Sequence, residues 1–183
     1  MGGSFNPAHD GHLHIATQAI RRLRLDQVWW LVSPQNPLKP AADMAGLEAR
    51  LASARTVGRH PKIVPTALET ALGTRYTADT LAALKRRFPK TKFVWIMGSD
   101  NLVQLPRWRA WTALLRMVPV AILPRAAYSL RALGSKAARR FARHRVGPGR
   151  ARGLAGMLPP AWTALGGPRH PGSATEIRRR RQG

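Results

Sequence analysis

The sequence predicts an α/β fold, a doubly wound parallel sheet with helices on both faces. Residues 28–32 and 93–97 are apolar without interruption, which is typical of strands buried on both sides. Stretches with helical periodicity alternate with such runs, and this order favours parallel strands. With 183 residues, of which 44% are hydrophobic and 21% charged, the chain can bury a core of its own. We therefore expect a single domain over residues 1–183.

Periodicity and capping residues predict the individual elements. Asp43 is expected to cap the second helix and Thr77 the third. We predict helices over residues 13–25, 44–54, 77–88, 108–117, 135–145 and 173–181. We predict strands over residues 28–32, 62–65, 93–97, 118–123 and 161–165. In such a sheet a ligand binds beyond the carboxyl ends of the strands, so functional residues should follow strands.

Composition narrows the classes of function. The chain has no cysteine, which excludes disulfides, thiolate metal sites and cysteine nucleophiles, and a reducing cytoplasm fits. No apolar run approaches the roughly 18 residues of a membrane span. The net charge of +23 indicates anionic partners: nucleotides, nucleic acid or an anionic membrane surface. Residues 131–153 are rich in arginine; a solvated basic helix is favoured over a nucleic-acid contact, because no nucleic-acid motif accompanies them.

The chain opens with GGSFNPAHDGH, a glycine-rich turn ahead of a predicted helix. Such a turn lets backbone N–H groups approach a phosphate, and the helix N-terminus adds partial positive charge. His9 and His12 lie three residues apart, so their rings share one side of the first turn and could donate hydrogen bonds to phosphate. Surface histidines and a metal pair are the alternatives, but a zinc site usually needs a third ligand. A Walker loop is excluded, since no Gly-Lys-Ser/Thr follows.

This stretch resembles the GxFxPxHxGH signature of the HxGH nucleotidyltransferase superfamily, and SATEIR at residues 173–178 resembles its SxTxxR partner motif. Together with SPQNPLKP, RYTADTL and MGSDNLVQLPRWRAW, the chain is similar to the bacterial nicotinate-nucleotide adenylyltransferases over residues 1–181. These enzymes of NAD biosynthesis join nicotinate mononucleotide to the adenylyl group of ATP. The resemblance implies the same two substrates, a cytoplasmic location, and no specific nucleic-acid or membrane partner.

The resemblance also implies roles for residues on the ATP side. His12 would contact the α-phosphate and stabilise its growing charge, while His9 would hold neighbouring phosphate oxygens. Thr175 and Arg178 would hold the outgoing pyrophosphate, although Arg178 in RRRR could also be a solvated tail. Further positions implied in ATP binding are Gly3, Ser4, Phe5, Gly11, Gly98, Asp100 and Ser173.

On the acceptor side, the resemblance places Tyr76, Thr77 and Trp108 around the nicotinate ring. Asp100 would lie near a ribose hydroxyl, and Lys39 would anchor the phosphate. Arg107 or Arg125 could meet the nicotinate carboxylate. Each residue also has a structural alternative: Trp108 as helix packing, Thr77 and Asp100 as helix caps, and Lys39 as an ordinary loop lysine.

The implied reaction needs positioning and positive charge, because the attacking phosphate is already an anion. The glycine-rich turn and the MGSDN stretch contain one carboxylate each, Asp10 and Asp100, and no close pair for two-metal chemistry. We therefore expect no protein metal site and a Mg²⁺ ion held mainly by ATP phosphates and water.

Two further expectations concern the start of the chain and the rival functions. The family carries a hydrophobic strand directly before the first Gly-Gly, whereas this sequence begins at Met1, so the first strand is expected to be truncated by a misassigned start or a fragment. Alternative functions are another transferase of the superfamily, with a nicotinamide mononucleotide or phosphopantetheine acceptor, or a non-catalytic nucleic-acid-binding protein. RYTADTL and DNLVQLPRW favour the nicotinate acceptor.

Overall fold

The computed structural model describes residues 1–34, 44–124 and 129–167, in which strands and helices alternate. The strands are β1 Gly2–Gly3, β2 Val28–Val32, β3 Ile63–Thr66, β4 Trp95–Gly98, β5 Val120–Leu123 and β6 Trp162–Ala164. The helices are α1 Asp10–Leu23, α2 Leu47–Val57, α3 Leu68–Ala71, α4 Thr77–Arg87, α5 Ser99–Gln104, α6 Trp111–Met117, α7 Ser129–Leu133 and α8 Lys136–Arg140. Short 3-10 helices cover Leu105–Arg107, Ala142–His144 and Pro148–Gly156.

The strands form two parallel, three-stranded halves. One half has the order β1-β2-β3 and the other β4-β5-β6. In the first, Gly3 is paired with Val32 and Val28 with Ile63; in the second, Trp95 is paired with Val120. Each half thus grows outward from its first strand, β1 in one half and β4 in the other. This is the doubly wound order that the sequence predicts.

Helices cover both faces of this sheet. Successive strand residues point to opposite faces, and they divide between two buried apolar clusters. The first cluster joins α1 and α2 to the strand residues Val28, Trp30, Val32, Ile96, Ala121 and Leu123. The second joins α4, α5 and α6 to Leu31, Trp95, Met97, Val120 and Ile122. Strands β2, β4 and β5 are therefore buried on both faces, which explains their uninterrupted apolar runs in the sequence.

The two halves adjoin where β1 passes the side chain of Trp95. A Cβ at Gly2 would lie 2.8 Å from the Trp95 ring, so only glycine fits there. The first strand, which we expected to be truncated, has two residues and pairs with the end of β2. Around it, the Leu31 N–H donates to the Met1 carbonyl (2.9 Å) and the Ser33 N–H to the Gly3 carbonyl (3.0 Å).

Several predicted helix ends need correction. α1 begins at Asp10 and not at residue 13, because His9 caps it. α2 follows Gly46, so the predicted Asp43 cap is wrong for this helix; Asp43 itself lies outside the described residues. Thr77 is the first residue of α4 and Tyr76 is its N-cap. α3 was not predicted at all.

The segment after β4 differs most from the prediction. A helix was expected over residues 108–117, but α6 begins only at Trp111. A 3-10 turn ends at Arg107, Trp108 is extended (φ −80°, ψ 140°), and Ala110 is left-handed (φ 51°). Trp108 and Trp111 therefore do not share a helical face. This break leaves Trp108 available to line a cavity.

The basic segment is helical over a shorter length than expected. α8 covers Lys136–Arg140, with the Ala138 N–H donating to the Ser135 side chain at its start (3.3 Å). The remainder of the predicted helix is a 3-10 turn. The predicted helix over residues 173–181 lies outside the described residues. Within the described ranges, no helix is both long and apolar enough to cross a membrane.

Candidate nucleotide-binding site

Two imidazoles cap α1 in place of the usual hydroxyl and carboxylate. His9 is the N-cap, and its Nδ1 accepts the Gly11 N–H (3.1 Å). In return, Nδ1 of His12 accepts the His9 N–H (3.2 Å). This is a reciprocal capping box, which satisfies two backbone donors at the helix start. Because Nδ1 acts as an acceptor in both rings, a neutral imidazole carries its proton on Nε2, and Nε2 is the donor.

Aromatic contacts hold the His12 ring in place. Its centroid lies 4.0 Å from that of His9 and 4.7 Å from that of Phe5. Phe5 in turn stacks on Trp30 (5.1 Å, 20° between planes). Phe5 is buried in a left-handed conformation (φ 46°), which costs about 1 kcal/mol for a residue with a side chain. The strained backbone at Phe5 therefore accompanies the ring contact that holds His12 in place.

A cavity of about 470 Å³ opens where the ends of β1 and β4 meet. This volume is within the usual range for a small-molecule site, and the place is the switch point of the sheet. The predicted residues that line it are Gly3, Ser4, Phe5, His12, Tyr76, Thr77, Gly98, Asp100 and Trp108. The two sides of the predicted site, far apart in sequence, therefore face one cavity.

Other predicted residues lie elsewhere. His9 and Gly11 are buried behind the cavity wall, against His12. Five more lie outside the described residues, namely Lys39, Arg125, Ser173, Thr175 and Arg178. In the described part of the basic segment, residues 131–153, no residue lines the cavity.

The end of β4 brings Asp100 to the cavity wall. Gly98 is the N-cap of α5, and Asp100 lies in the first turn of that helix. The alternative that Asp100 is itself the N-cap is therefore wrong. Asp100 thus follows the buried strand β4 and is one of the residues that line the cavity.

Near Tyr76, the cavity carries guanidinium groups that the sequence reasoning mostly missed. The Arg109 guanidinium lies 4.7 Å from the Tyr76 ring centroid and 3.5 Å from the Asp79 carboxylate. The guanidinium of Arg75, which directly precedes Tyr76, lies 6.0 Å from the same ring centroid. Arg107 also lines the cavity. No sequence signal separated Arg75 and Arg109 from the general basic surplus, whereas Arg107 was one of the two arginines expected to meet the nicotinate carboxylate.

Two buried ionisable residues were also missed. Glu69 of α3 is 5% exposed, lines the cavity and accepts a hydrogen bond from the Thr80 hydroxyl (3.2 Å). Burial raises the pKa of Glu69 above its ordinary value, and hydrogen bonds from Thr80 and Ser33 oppose this increase. Arg50 of α2 is 2% exposed, and burial lowers the pKa of its guanidinium, although arginine stays charged.

A glycine-rich loop that leads to imidazoles at a helix start, beside a cavity at a sheet switch point, defines a nucleotide-binding α/β protein. Residues 1–180 match the family described as cytidylyltransferase-like. The chain belongs to this family.

Relatives agree with this assignment. A probable nicotinate-nucleotide adenylyltransferase from Cereibacter sphaeroides is 54% identical over 178 residues, which cover 97% of this chain and 94% of that protein. One of the same name from Parvibaculum lavamentivorans is 51% identical over 180 residues, 98% of this chain and 90% of that protein. The resemblance inferred from the motifs is therefore confirmed.

The fold also matches solved structures. A Plasmodium falciparum nicotinic acid mononucleotide adenylyltransferase complexed with NaAD has a TM-score of 0.70 at 16% identity, over 97% of this chain and 80% of that one. The same protein complexed with APC gives a TM-score of 0.68. At this identity the likeness concerns the fold alone, which is the Rossmann-like nucleotidyltransferase fold.

Proposed function

We propose that the chain is a nicotinate-nucleotide adenylyltransferase, an enzyme of NAD biosynthesis. It joins the adenylyl group of ATP to nicotinate mononucleotide and releases pyrophosphate. Relatives at about 50% identity over nearly the whole chain carry this name. The single structural observation that carries the proposal is the shared cavity, which has His12 on one wall and Tyr76, Thr77 and Trp108 on another.

The chemistry follows from the donors around the α-phosphate. A phosphate oxygen of the mononucleotide attacks the α-phosphorus of ATP, the bond to the β-phosphate oxygen breaks, and pyrophosphate leaves with the electron pair. The attacking group is already ionised, so the protein must align the reactants and stabilise negative charge. With Nδ1 committed to the helix cap, His12 presents Nε2–H to an α-phosphate oxygen. His9 is buried and does not line the cavity, so we propose that it supports phosphate binding through its ring contact with His12 and its cap of α1.

The remaining ATP contacts are assigned by position in the loop and at the end of β4. Gly3 ends β1, and Ser4 and Phe5 belong to the loop between β1 and α1, whose backbone N–H groups suit phosphate. Gly11, in the first turn of α1, donates its N–H to His9 and so supports the helix start. Gly98 and Asp100 stand at the opposite wall, where Asp100 would accept a ribose hydroxyl. For the outgoing pyrophosphate we propose Ser173, Thr175 and Arg178 on the strength of the motif alone.

The acceptor assignment rests on the aromatic wall. Tyr76 and Trp108 offer flat apolar surfaces to a pyridine ring, and Thr77 begins α4, whose first N–H groups carry partial positive charge. Arg107 adds a cation on the same side. We propose that these groups meet the nicotinate carboxylate and that Lys39 binds the phosphate. An amide in place of the carboxylate would forfeit the charge attraction.

Magnesium is proposed as the ion that accompanies ATP. Among the described residues, no three His, Asp or Glu side chains are grouped as metal ligands, and this donor set suits an ion bound through phosphates, water and at most one carboxylate. When bound, the ion neutralises charge on the phosphates. Because ATP is a cytoplasmic metabolite, we also propose the cytoplasm as the enzyme's location.

The decisive test is a coupled pyrophosphate assay with the purified chain, ATP and Mg²⁺. Nicotinate mononucleotide, nicotinamide mononucleotide and phosphopantetheine are compared as acceptors, with each substrate omitted in turn. We expect pyrophosphate only when ATP and an acceptor are both present, with the highest kcat/KM for nicotinate mononucleotide. Preference for another acceptor would reassign the substrate. No product with any acceptor, together with RNA binding that falls steeply with salt, would favour the nucleic-acid-binding alternative.

A further inference from the structure

A buried guanidinium links the nucleotide-binding loop to the end of β2. Arg50 makes all its recorded hydrogen bonds to backbone carbonyls: Nη1 donates to Ser4 (2.8 Å) and Ser33 (2.7 Å), and Nη2 to Pro34 (3.0 Å). Its Nε donates to Ala45 (2.8 Å). Ser4 belongs to the loop that supports His12. The other three carbonyls flank residues 35–43, on either side of that segment.

A second buried group continues from the same serine toward the acceptor side. The Ser33 side chain is hydrogen bonded to the Glu69 carboxyl, which also accepts the Thr80 hydroxyl (3.2 Å). The Thr80 N–H donates to the Tyr76 carbonyl (3.0 Å), and the Thr80 hydroxyl lies 2.9 Å from the Thr74 hydroxyl. Thr80 is fully buried. The path therefore ends at the turn that presents Tyr76 and Thr77.

Taken together, these bonds form one polar chain that runs Ser4, Arg50, Ser33, Glu69, Thr80, Tyr76. We call it the strut. Four of its members, Ser4, Ser33, Glu69 and Tyr76, line the cavity. Buried polar groups that are fully bonded rigidify their surroundings, because breaking any bond leaves a costly unpaired group. The strut joins the loop that holds the nucleotide phosphates to the turn that holds the acceptor ring. Its length therefore sets how far apart the two substrates lie.

We propose that Arg50 and Glu69 are positioning residues that fix the alignment of ATP with the acceptor through this strut. The proposal rests on the proposed function. Neither residue needs to touch a reacting atom, since each acts through the backbone segments that it holds. A displacement of about 1 Å between reactants can lower the rate on the order of 10²-fold, so slack in the strut should be visible in kcat.

The experiment loosens each end of the strut with a conservative substitution. Arg50→Lys keeps the charge but cannot reach four carbonyls, and Thr80→Val keeps the volume but removes the hydroxyl. Arg55→Lys and Thr56→Val make the same changes at exposed positions of α2 and serve as matched controls. Thermal unfolding identifies a temperature at which all variants are folded. The full chain is used throughout.

We expect Arg50→Lys and Thr80→Val each to lower kcat roughly 10- to 100-fold at saturating ATP and nicotinate mononucleotide. Calorimetric Kd values for ATP alone and for the mononucleotide alone should stay within about threefold of wild type, because each half of the site is intact. The fold-loss of kcat in the double variant should be smaller than the product of the two single losses, because only independent sites give losses that multiply. The control variants should match wild type.

Three results would overturn the proposal. They are kcat values within about threefold of the matched controls, Kd values that shift as much as kcat, or a kcat loss in the double variant equal to the product of the two single losses. A purely structural role would lower the unfolding temperature without this split between kcat and Kd. Failure of the proposed function is recognised separately, because wild type and both controls would then release no pyrophosphate.

Discussion

Replacing His12 by asparagine separates the two tasks that the structure gives its ring. Asparagine Oδ1 occupies nearly the place of Nδ1, so it can still accept the His9 N–H and complete the cap. Nothing replaces Nε2, the donor assigned to the α-phosphate. Losing one such transition-state donor lowers turnover by about 10²–10³, or roughly 2.7–4 kcal/mol. We expect that loss in kcat for His12→Asn.

The stability of the same variants can be estimated from the contacts. His12→Asn loses the ring contacts with Phe5 and His9, worth about 0.5–1.5 kcal/mol, but retains the cap. His12→Ala loses about 1 kcal/mol more with the cap. For a chain of this size each kcal/mol lowers Tm by about 2–4 °C. Alanine should therefore unfold a few degrees below asparagine, although both have lost the donor.

The assay is steady-state pyrophosphate release with both substrates saturating, together with thermal unfolding. His12→Gln is the complementary variant, because its amide nitrogen lies near the Nε2 position while the cap acceptor is displaced. It should recover part of the turnover that asparagine loses. Turnover of His12→Asn within about tenfold of wild type, or of His12→Gln below that of His12→Asn, would refute the assignment of Nε2 as donor.

Three further predictions concern burial, stacking and close packing. Burial raises the pKa of Glu69, so the free energy of unfolding falls as pH rises from the unfolded pKa near 4.3 to the folded pKa. Urea titrations at pH 5 and 8 should show that Glu69→Gln removes this decline; the same decline in wild type and variant would contradict the prediction. Trp108→Ala should raise KM for the mononucleotide about tenfold and leave KM for ATP unchanged, and an equal rise in both would exclude a stacking role. Gly2→Ala should destabilise by about 1–3 kcal/mol in denaturant unfolding, because its Cβ would lie 2.8 Å from Trp95, whereas Gly149→Ala enters open space and should be neutral; equal effects would refute the close packing.

The sheet was predictable because its strands carry a strong local signal. β2 was predicted with the bounds that the structure has, since an apolar run buried on both faces needs no knowledge of its neighbours. Helix starts were less predictable. α1 is capped by an imidazole, which the usual capping preferences do not include, and α2 follows a glycine without a side-chain cap. Apolar periodicity therefore placed the start of α1 too late, and the capping rules misplaced the start of α2.

Trp108 shows where periodicity misleads. The apolar spacing of Trp108, Trp111 and the following leucines is helical, yet the chain between them turns at a left-handed Ala110. An alanine gives no sequence signal for a left-handed conformation, which tertiary packing imposes here. The motif resemblance nevertheless named Trp108 as a site residue, and Trp108 lines the cavity. Sequence similarity thus carried information that local patterns lack.

The strut could not be predicted, for a physical reason. Arg50 sits in a helix of ordinary amphipathic appearance, and its acceptors are backbone carbonyls, which every residue possesses. Sequence patterns reveal side-chain chemistry, but they do not reveal which peptide groups a fold leaves to be satisfied. Glu69 was hidden in the same way, in a four-residue helix too short for any periodicity.

The division of the sheet into two halves has a consequence for how the molecule unfolds. No backbone ladder is recorded between β1 and β4 in the described chain, yet each apolar cluster draws residues from both halves: Trp30 with Leu123 on one face, and Leu31 with Ile122 on the other. Neither half can unfold without exposing apolar side chains that pack against the other half. Tryptophan fluorescence, far-ultraviolet dichroism and calorimetry should therefore trace a single cooperative transition.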